Sequence, residues 1–243
     1  MTSDLDATDT MTDSPISPRA GLIAIGSFDH DRLSKSLADI PASVRPLIAG
    51  LFVPVVEPPV GGPGRPGYAT TADAKQLLHI AEDSGIPVTT VTLERDGAGY
   101  GAVQKVAFGW AMQNKLDVVV VVHASGHFPL GHLDQMIRPV LDGDAGGVLA
   151  RRSTPRRGPR SERISWWKLK GNRCLSMILD RIVGKTSNEW LCPFRSYSTR
   201  VLAAIPFRNN SDGHVFDLEM LVGCAEIDET LVEIEVPVIS DDG

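Results

Sequence analysis

From Gly21 onward, short apolar runs alternate with segments in which apolar positions recur at helical spacing. This alternation marks parallel strands joined by crossover helices. Strands are predicted over 22–26, 51–56, 88–93, 118–123 and 148–151, and helices over 31–39, 71–84, 101–114 and 131–141. The expected fold class is α/β, a doubly wound and mostly parallel sheet flanked by helices. Thr71-Ala72-Asp73 reads as a helix start, and Gly85-Ile86-Pro87 as the stop of that helix. The stretch 57–67, E-P-P-V-G-G-P-G-R-P-G, has no periodic apolar face to bury and reads as a loop after the second strand.

Residues 1–20 hold four Asp and many Ser and Thr with almost no large apolar group. Such a segment cannot repay the entropy of ordering, so a disordered acidic tail is expected, followed by a single domain over 21–243. The tail lacks the basic start and apolar run of a secretory signal, which makes a cytoplasmic location the expectation. The longest uncharged apolar run, Val118 to Val122, is strand-sized, so no bilayer-spanning segment is expected.

The 243 residues are 42% hydrophobic and 22% charged, ordinary for one or two domains with a real core. A net charge of −6 argues against a general nucleic-acid binder. Cys174, Cys192 and Cys224 are widely spaced, offering neither a disulfide framework nor a zinc knuckle. Against this acidic background, Arg151 to Arg173 carries nine Lys or Arg and a single acid, Glu162. Such a run is either a solvated loop or a site for phosphate, on a ligand or on a lipid surface. An amphipathic helix is expected over 164–183, with Trp166 and Trp167 either at a membrane surface or in the core.

Ligands of open α/β sheets bind beyond the carboxyl ends of the strands, which directs attention to the loops after Gly26, Val56, Leu93 and Val122. The third holds Gly97, Gly99 and Gly101 before a helix, where backbone N–H groups could approach a phosphate or where glycine could serve only helix packing. The fourth places His123 and His127 four apart with Ser125 between, and His132 beyond as a possible third imidazole. Those groups could meet metal or phosphate, although a catalytic zinc usually takes three protein ligands and a structural one four.

The stretch from Gly97 to Arg152, followed by G-N-R at Gly171 to Arg173, F-R-S-Y-S at Phe194 to Ser198, I-P-F at Ile205 to Phe207 and F-D-L-E at Phe216 to Glu219, resembles the family-two inverting glycosyltransferases of GT-A fold. Within them it is similar to the bacterial branch near dolichyl-phosphate mannose synthases. The resemblance runs from about Leu22 to Pro237, and family members continue past the E-V-P at Glu235 to Pro237 into a longer tail. It implies a nucleotide-binding half over 21–150 and an acceptor half over 151–243. It also implies transfer of a hexose from a nucleotide sugar to a polyprenyl phosphate or a small hydroxyl acceptor, with peripheral membrane contact through Arg151 to Arg173.

The departures from the family pattern fall on the donor side. The family's A-Y-N-E turn is here Ser27, Phe28, Asp29 and His30, and the paired aspartates ending its second strand are Val55 and Val56. Its D-x-D or H-x-D is His123, Ala124 and Ser125, with His127 in place of a Gln. Hydroxyl and imidazole are poorer ligands for Mg²⁺ or Mn²⁺ than carboxylate, so a divalent cofactor is doubtful. His30, Ser125, Arg152 and Arg195 then stand as candidate donor and phosphate contacts, and Glu189 as general base beside His123 and His127. Arg195 has a second reading, a pairing with Asp217 or Glu219 that holds a helix on the sheet. Three functions follow: a transferase with rebuilt, metal-free donor chemistry, a silent pseudoenzyme that binds a partner or ligand through the cleft, or acid/base chemistry by His30, His123 and His127 on a non-sugar substrate.

Overall fold

The computed structural model describes residues 19–26, 28–56, 69–93, 99–153 and 192–237. In chain order they form β1 (Ala20–Ile25), α1 (His30–Ala38), β2 (Ile48–Val56), α2 (Thr71–Ser84), β3 (Val88–Leu93), α3 (Tyr100–Gln113), β4 (Val118–His123), α4 (Leu133–Leu141), β5 (Gly147–Ser153), β6 (Arg195–Ser198), α5 (Thr199–Ala204), α6 (Phe216–Glu226) and β7 (Leu231–Pro237). The strands make one sheet in the order β3-β2-β1-β4-β6-β5-β7. All pairs are parallel except those of β6, which runs antiparallel to both β4 and β5.

The predicted strands, and the predicted helices that fall within the described residues, are present within a few residues of their expected ends, and β6, β7, α5 and α6 add to them. One boundary moves: His132 ends a short 3₁₀ turn, Leu130–His132, and caps α4 instead of lying inside it. The expected helix over 164–183, the tail at 1–18 and the loop at 57–67 lie outside the described residues. No helix among the described residues is long and apolar enough to cross a membrane.

The unbroken valine run of β4 follows from burial on both faces, as a central parallel strand requires. Val120 and Val122 face the layer of α1, α2 and α4 with Leu22, Leu37 and Met136. Val119 and Val121 face the layer of α3, α5 and α6 with Ile23, Phe108 and Phe216. Along β1 the same alternation sends Leu22 and Ala24 one way and Ile23 and Ile25 the other.

One charge lies inside the second layer. Arg195, at the start of β6, is 1% exposed. Its Nε and Nη2 donate to the Cys192 carbonyl at 3.1 and 2.6 Å, and Nη2 lies 3.4 Å from the Asp217 carboxylate. Asp217, from α6, also accepts from the Tyr100 hydroxyl at 2.8 Å and from Gln104 at 2.9 Å, both on α3. Burial works against the guanidinium charge, but Asp217 and the Tyr197 and Tyr100 hydroxyls outweigh it and hold the Arg195 pKa above its ordinary value. Burial and the neighbouring Asp217 push the Tyr100 hydroxyl upward, keeping it a donor. Burial likewise pushes the nearby Cys224 thiol up to about 12, so this cysteine is an apolar core residue.

Breaking such a pair from one side leaves an uncompensated charge, at a cost of about 3–5 kcal/mol. Arg195→Met should therefore lower the urea-unfolding free energy by that amount. The double variant Arg195→Met, Asp217→Leu should lose less than the single one.

Candidate active site

The strand order reverses at β1: the chain passes from β1 to β2 and β3 on one side, then crosses to β4 on the other. The crevice beyond the carboxyl ends of β1 and β4 is thus the topological switch point of the sheet. Two backbone hydrogen bonds stitch its walls together, Ala124 N–H to the Ile25 carbonyl at 2.8 Å and Asp29 N–H to the Ala124 carbonyl at 3.2 Å. Asp29 then caps α1, its carboxylate accepting from the Arg32 amide at 3.1 Å and lying 3.3 Å from Arg32 Nε. Gly126 closes the β4 turn with a φ of +67°, and a β-carbon there would fall 2.6 Å from Arg32 Cβ. The first turn of α1 is pressed directly onto the turn that carries the histidines.

The polar groups of this turn form a chain with a direction. Arg32 Nη1 lies 3.3 Å from His127 Nε2, and a guanidinium can only donate, so His127 Nε2 accepts and its proton sits on Nδ1. His127 Nδ1 lies 2.5 Å from Ser125 Oγ and donates to it. The Ser125 hydroxyl then donates to His123 Nδ1 at 2.6 Å, which also receives the Ser125 amide at 3.3 Å. The His123 proton is left on Nε2. Burial, with the neighbouring His127 adding in the same direction, holds the His123 pKa below its ordinary value, in keeping with a neutral ring.

His30 sits at the first residue of α1 and pairs through Nε2 with Asp73 of α2 at 2.9 Å. Asp73 also takes the Thr70 amide and hydroxyl at 2.7 and 2.8 Å. Burial pulls this carboxyl upward, but the hydrogen bonds from Thr70 and His30 outweigh it and hold Asp73 below the usual range. The Nδ1 of His30 is buried with no hydrogen-bond partner among the described residues. His30 thus ties the start of α1 to the start of α2.

His30, His123, Ser125 and His127 therefore gather at the carboxyl edge. Arg195 does not turn toward that cleft; its guanidinium points into the buried network with Asp217. Glu219, the other carboxylate considered for it, accepts from the Ser211 amide. Arg152 ends β5 on the sheet, but its side chain, like Glu189 and the basic run beyond Ser153, lies outside the described residues. The glycine loop before α3 proves to be a packing device at its described end. The Gly101 and Ala102 amides donate to the Asp212 carbonyl at 2.8 and 3.3 Å, and a β-carbon on Gly101 would meet the Ser211 carbonyl at 2.3 Å. These helix-start donors face the chain itself and not a phosphate.

Two contributors escaped the sequence reading. Arg32 stands three residues after the capping Asp29, and Asp73 three after Thr70; both spacings are helix-start signals that could have pointed to them. The Mg²⁺ or Mn²⁺ that the resemblance to family-two glycosyltransferases would bring does not fit the donor set at the β4 turn. The ring nitrogens that could ligate it are taken by Arg32 and Ser125 or carry a proton, and no carboxylate belongs to the turn. Among the described residues no three His, Cys, Asp or Glu side chains come together as metal ligands.

Gly126→Ala would force a β-carbon into α1 from a backbone conformation that L side chains rarely adopt. It should cost about 1–3 kcal/mol in urea unfolding. The pH dependence has a definite sign. Because the folded pKa of His123 lies below its ordinary 6.5, the unfolded chain takes up that proton first. The stability linked to it is intact above about 6.5 and declines as pH falls below. The urea midpoint should drop more steeply between about pH 7.5 and 5 for the parent protein than for His123→Asn.

No family model and no curated protein matches the sequence. Solved structures do match. Glucosyl-3-phosphoglycerate synthase from Mycobacterium tuberculosis in complex with Mn²⁺, UDP and phosphoglyceric acid superposes with a TM-score of 0.62 at 14% identity, covering 93% of this chain and 72% of that one. Its complex with Mn²⁺, UDP-glucose and phosphoglyceric acid gives 0.61 at 15% identity, with the same coverage. A mycobacterial protein of unstated function gives 0.62 at 14% identity, over 91% of this chain. This chain spans 66% of that protein's length. The sheet order and its helical layers are those of the GT-A glycosyltransferase fold.

Proposed function

We propose that this protein binds a nucleoside-diphosphate sugar at the β1–β4 switch point and transfers its hexose to a hydroxyl or phosphate acceptor. The observation that carries the reading is the coincidence of two independent features. The strand order makes a switch point between β1 and β4, where open α/β sheets bind ligands, and the chain of Arg32, His127, Ser125 and His123 lies on that same edge. Solved structures of the same fold hold UDP or UDP-glucose with a phosphorylated acid, which is consistent with a nucleotide sugar as donor.

The acceptor is a polyprenyl phosphate or a small phosphorylated acid, and the basic residues from Arg151 to Arg173 favour a phosphate on it. Arg152 is one such contact. The same run would serve peripheral membrane contact if the acceptor is a lipid. With a hydroxyl acceptor, Glu189 takes its proton as the oxygen attacks the anomeric carbon, whereas a phosphate acceptor attacks through an oxygen that is already ionised. The bond from that carbon to the diphosphate breaks, and the nucleoside diphosphate departs with inversion. The family's metal-binding carboxylates are replaced by His123 and Ser125, so the leaving group is stabilised by fixed donors.

A thermal-shift panel of UDP-, GDP- and dTDP-sugars tests the donor reading. A ligand at 100 times its Kd adds about 2.7 kcal/mol of stability, so one of them should raise the midpoint by several degrees. No shift from any of them at millimolar concentration would refute donor binding and leave a silent or repurposed cleft. With a responsive donor in hand, Glu189→Gln should lower the transfer rate by about a hundredfold while the donor still binds. Unchanged transfer would remove Glu189 from the base role.

A further inference from the structure

We infer that the outer edge of β3 is a self-association surface, on which a second copy of this chain adds its own β3 antiparallel about a two-fold axis at Thr90. The two edges of the sheet are built differently. β7 carries exposed Glu233 and Glu235 and ends at Pro237, the charges and proline by which an edge strand resists pairing. β3 reads Val88-Thr89-Thr90-Val91-Thr92-Leu93, with no charge and no proline, and is β-branched at every position but the last. Such a strand favours the extended state and holds nothing that repels another chain.

One side of the β3 backbone is committed to β2, which it pairs in parallel from Leu51 with Val88 to Val56 with Leu93. The Leu51 N–H donates to the Pro87 carbonyl at 2.8 Å. By the alternation of a strand, the backbone groups of Thr89, Val91 and Leu93 then turn toward β2, and those of Val88, Thr90 and Thr92 turn outward. Among the described residues these outward N–H and C=O groups have no partner. A two-fold axis at Thr90 satisfies every one of them. Val88 then stands opposite the partner's Thr92, Thr90 opposite the partner's Thr90, and Thr92 opposite the partner's Val88, each pair exchanging two hydrogen bonds. An isologous contact requires a strand that tolerates its own reverse, and here no like charges meet.

The flanking helices supply apolar surface to go with the strand. Leu78 of α2 is 41% exposed and Val106 of α3 38%. Beside Val106 a hollow of about 420 Å³ is lined by Phe52, Gly109 and Trp110 and reaches β3 at Val91. The axis runs perpendicular to the sheet, so the hollows of the two copies come to lie on one face of a continuous sheet, on either side of the junction. A strand from an unrelated protein would use only the outward backbone groups. The second copy uses those and brings matching apolar surface as well. β3 is two strands away from β1, so the surface is separate from the switch-point crevice and the donor reading is untouched by either outcome below.

Sedimentation equilibrium of the full chain tests the inference, and the expected result is a reversible monomer–dimer equilibrium. Thr90→Lys and Thr90→Asp each set like charges against one another on the axis, so each variant alone should be monomeric at concentrations where the parent protein dimerises. Thr90 is exposed, so both variants should keep the parent's urea midpoint. Mixed in equal amounts, the two should recover the dimer. Thr90→Cys should give a reducible dimer under mild oxidation that the parent does not give, since hydrogen-bonded antiparallel partners lie about 5.5 Å apart, within reach of a disulfide. A parent that stays monomeric at every concentration, a dimer that Thr90→Lys leaves intact, or a Lys and Asp mixture that stays monomeric would each overturn the inference. Absence of the Thr90→Cys cross-link in a dimeric protein would overturn the register and with it the axis at Thr90.

Discussion

The charge of Arg195 cannot be discharged within the protein's working range, and it lies where water does not reach. Everything packed around it has to answer that constraint. The Cys192 carbonyl answers from the turn entering β6, Asp217 from α6, and Tyr100 and Gln104 by holding Asp217 from α3. The α3 groups meet Asp217 across separations of 117 and 113 positions. A slip of α6 by one residue would point Asp217 away from the guanidinium, so the pair fixes rotation and register as well as energy. Arg195 lies beside the carboxyl end of β4, opposite Val121, so this helical layer backs the strand end that carries the polar crevice.

The crevice is organised by a different device. Its imidazoles are not a loose cluster with interchangeable protonation, because a single obligate donor at one end sets every proton along the row. Arg32 orients His127, His127 orients Ser125, and Ser125 orients His123. The row is short, and the backbone bonds between the loops after β1 and β4 brace it. Its outer end is cationic and its inner end neutral, a polarity that favours anions at the mouth of the crevice.

Much of this architecture was legible because the two periodicities of the chain are clean. The valine run of β4 and the helical spacing of α2 and α3 announced themselves, and glycine and proline marked the stops. β6 was not among the predicted strands, since four residues with two serines and an arginine carry no strand pattern. Its strand character comes from β4 and β5 on either side, which is tertiary information. At the site, His30, His123 and His127 stood out as unusual residues at strand ends. Arg32 and Asp73 did not, because each reads locally as an ordinary helix-start residue. Their importance lies in contacts across 95 and 43 positions that no local pattern encodes. Arg195 was misjudged in one of its two readings for the opposite reason. A basic residue suggests a phosphate until a buried carboxylate is seen beside it.

β6 also dictates the order in which the sheet can be completed. During synthesis β1 to β4 emerge first and can pair with one another, in the order β3-β2-β1-β4, using only their own residues. The outer edge of β4 has its partner in β6, through Val118 with Ser198 and Val121 with Arg195. Until residue 198 has left the ribosome, a nascent chain with its first half folded therefore presents five valines along an unpaired edge, a template for pairing with another chain. β5 is already made in that interval but has no place in the sheet until β6 arrives, and β7 follows last. Arrest of translation between these points would yield the most aggregation-prone species this protein forms.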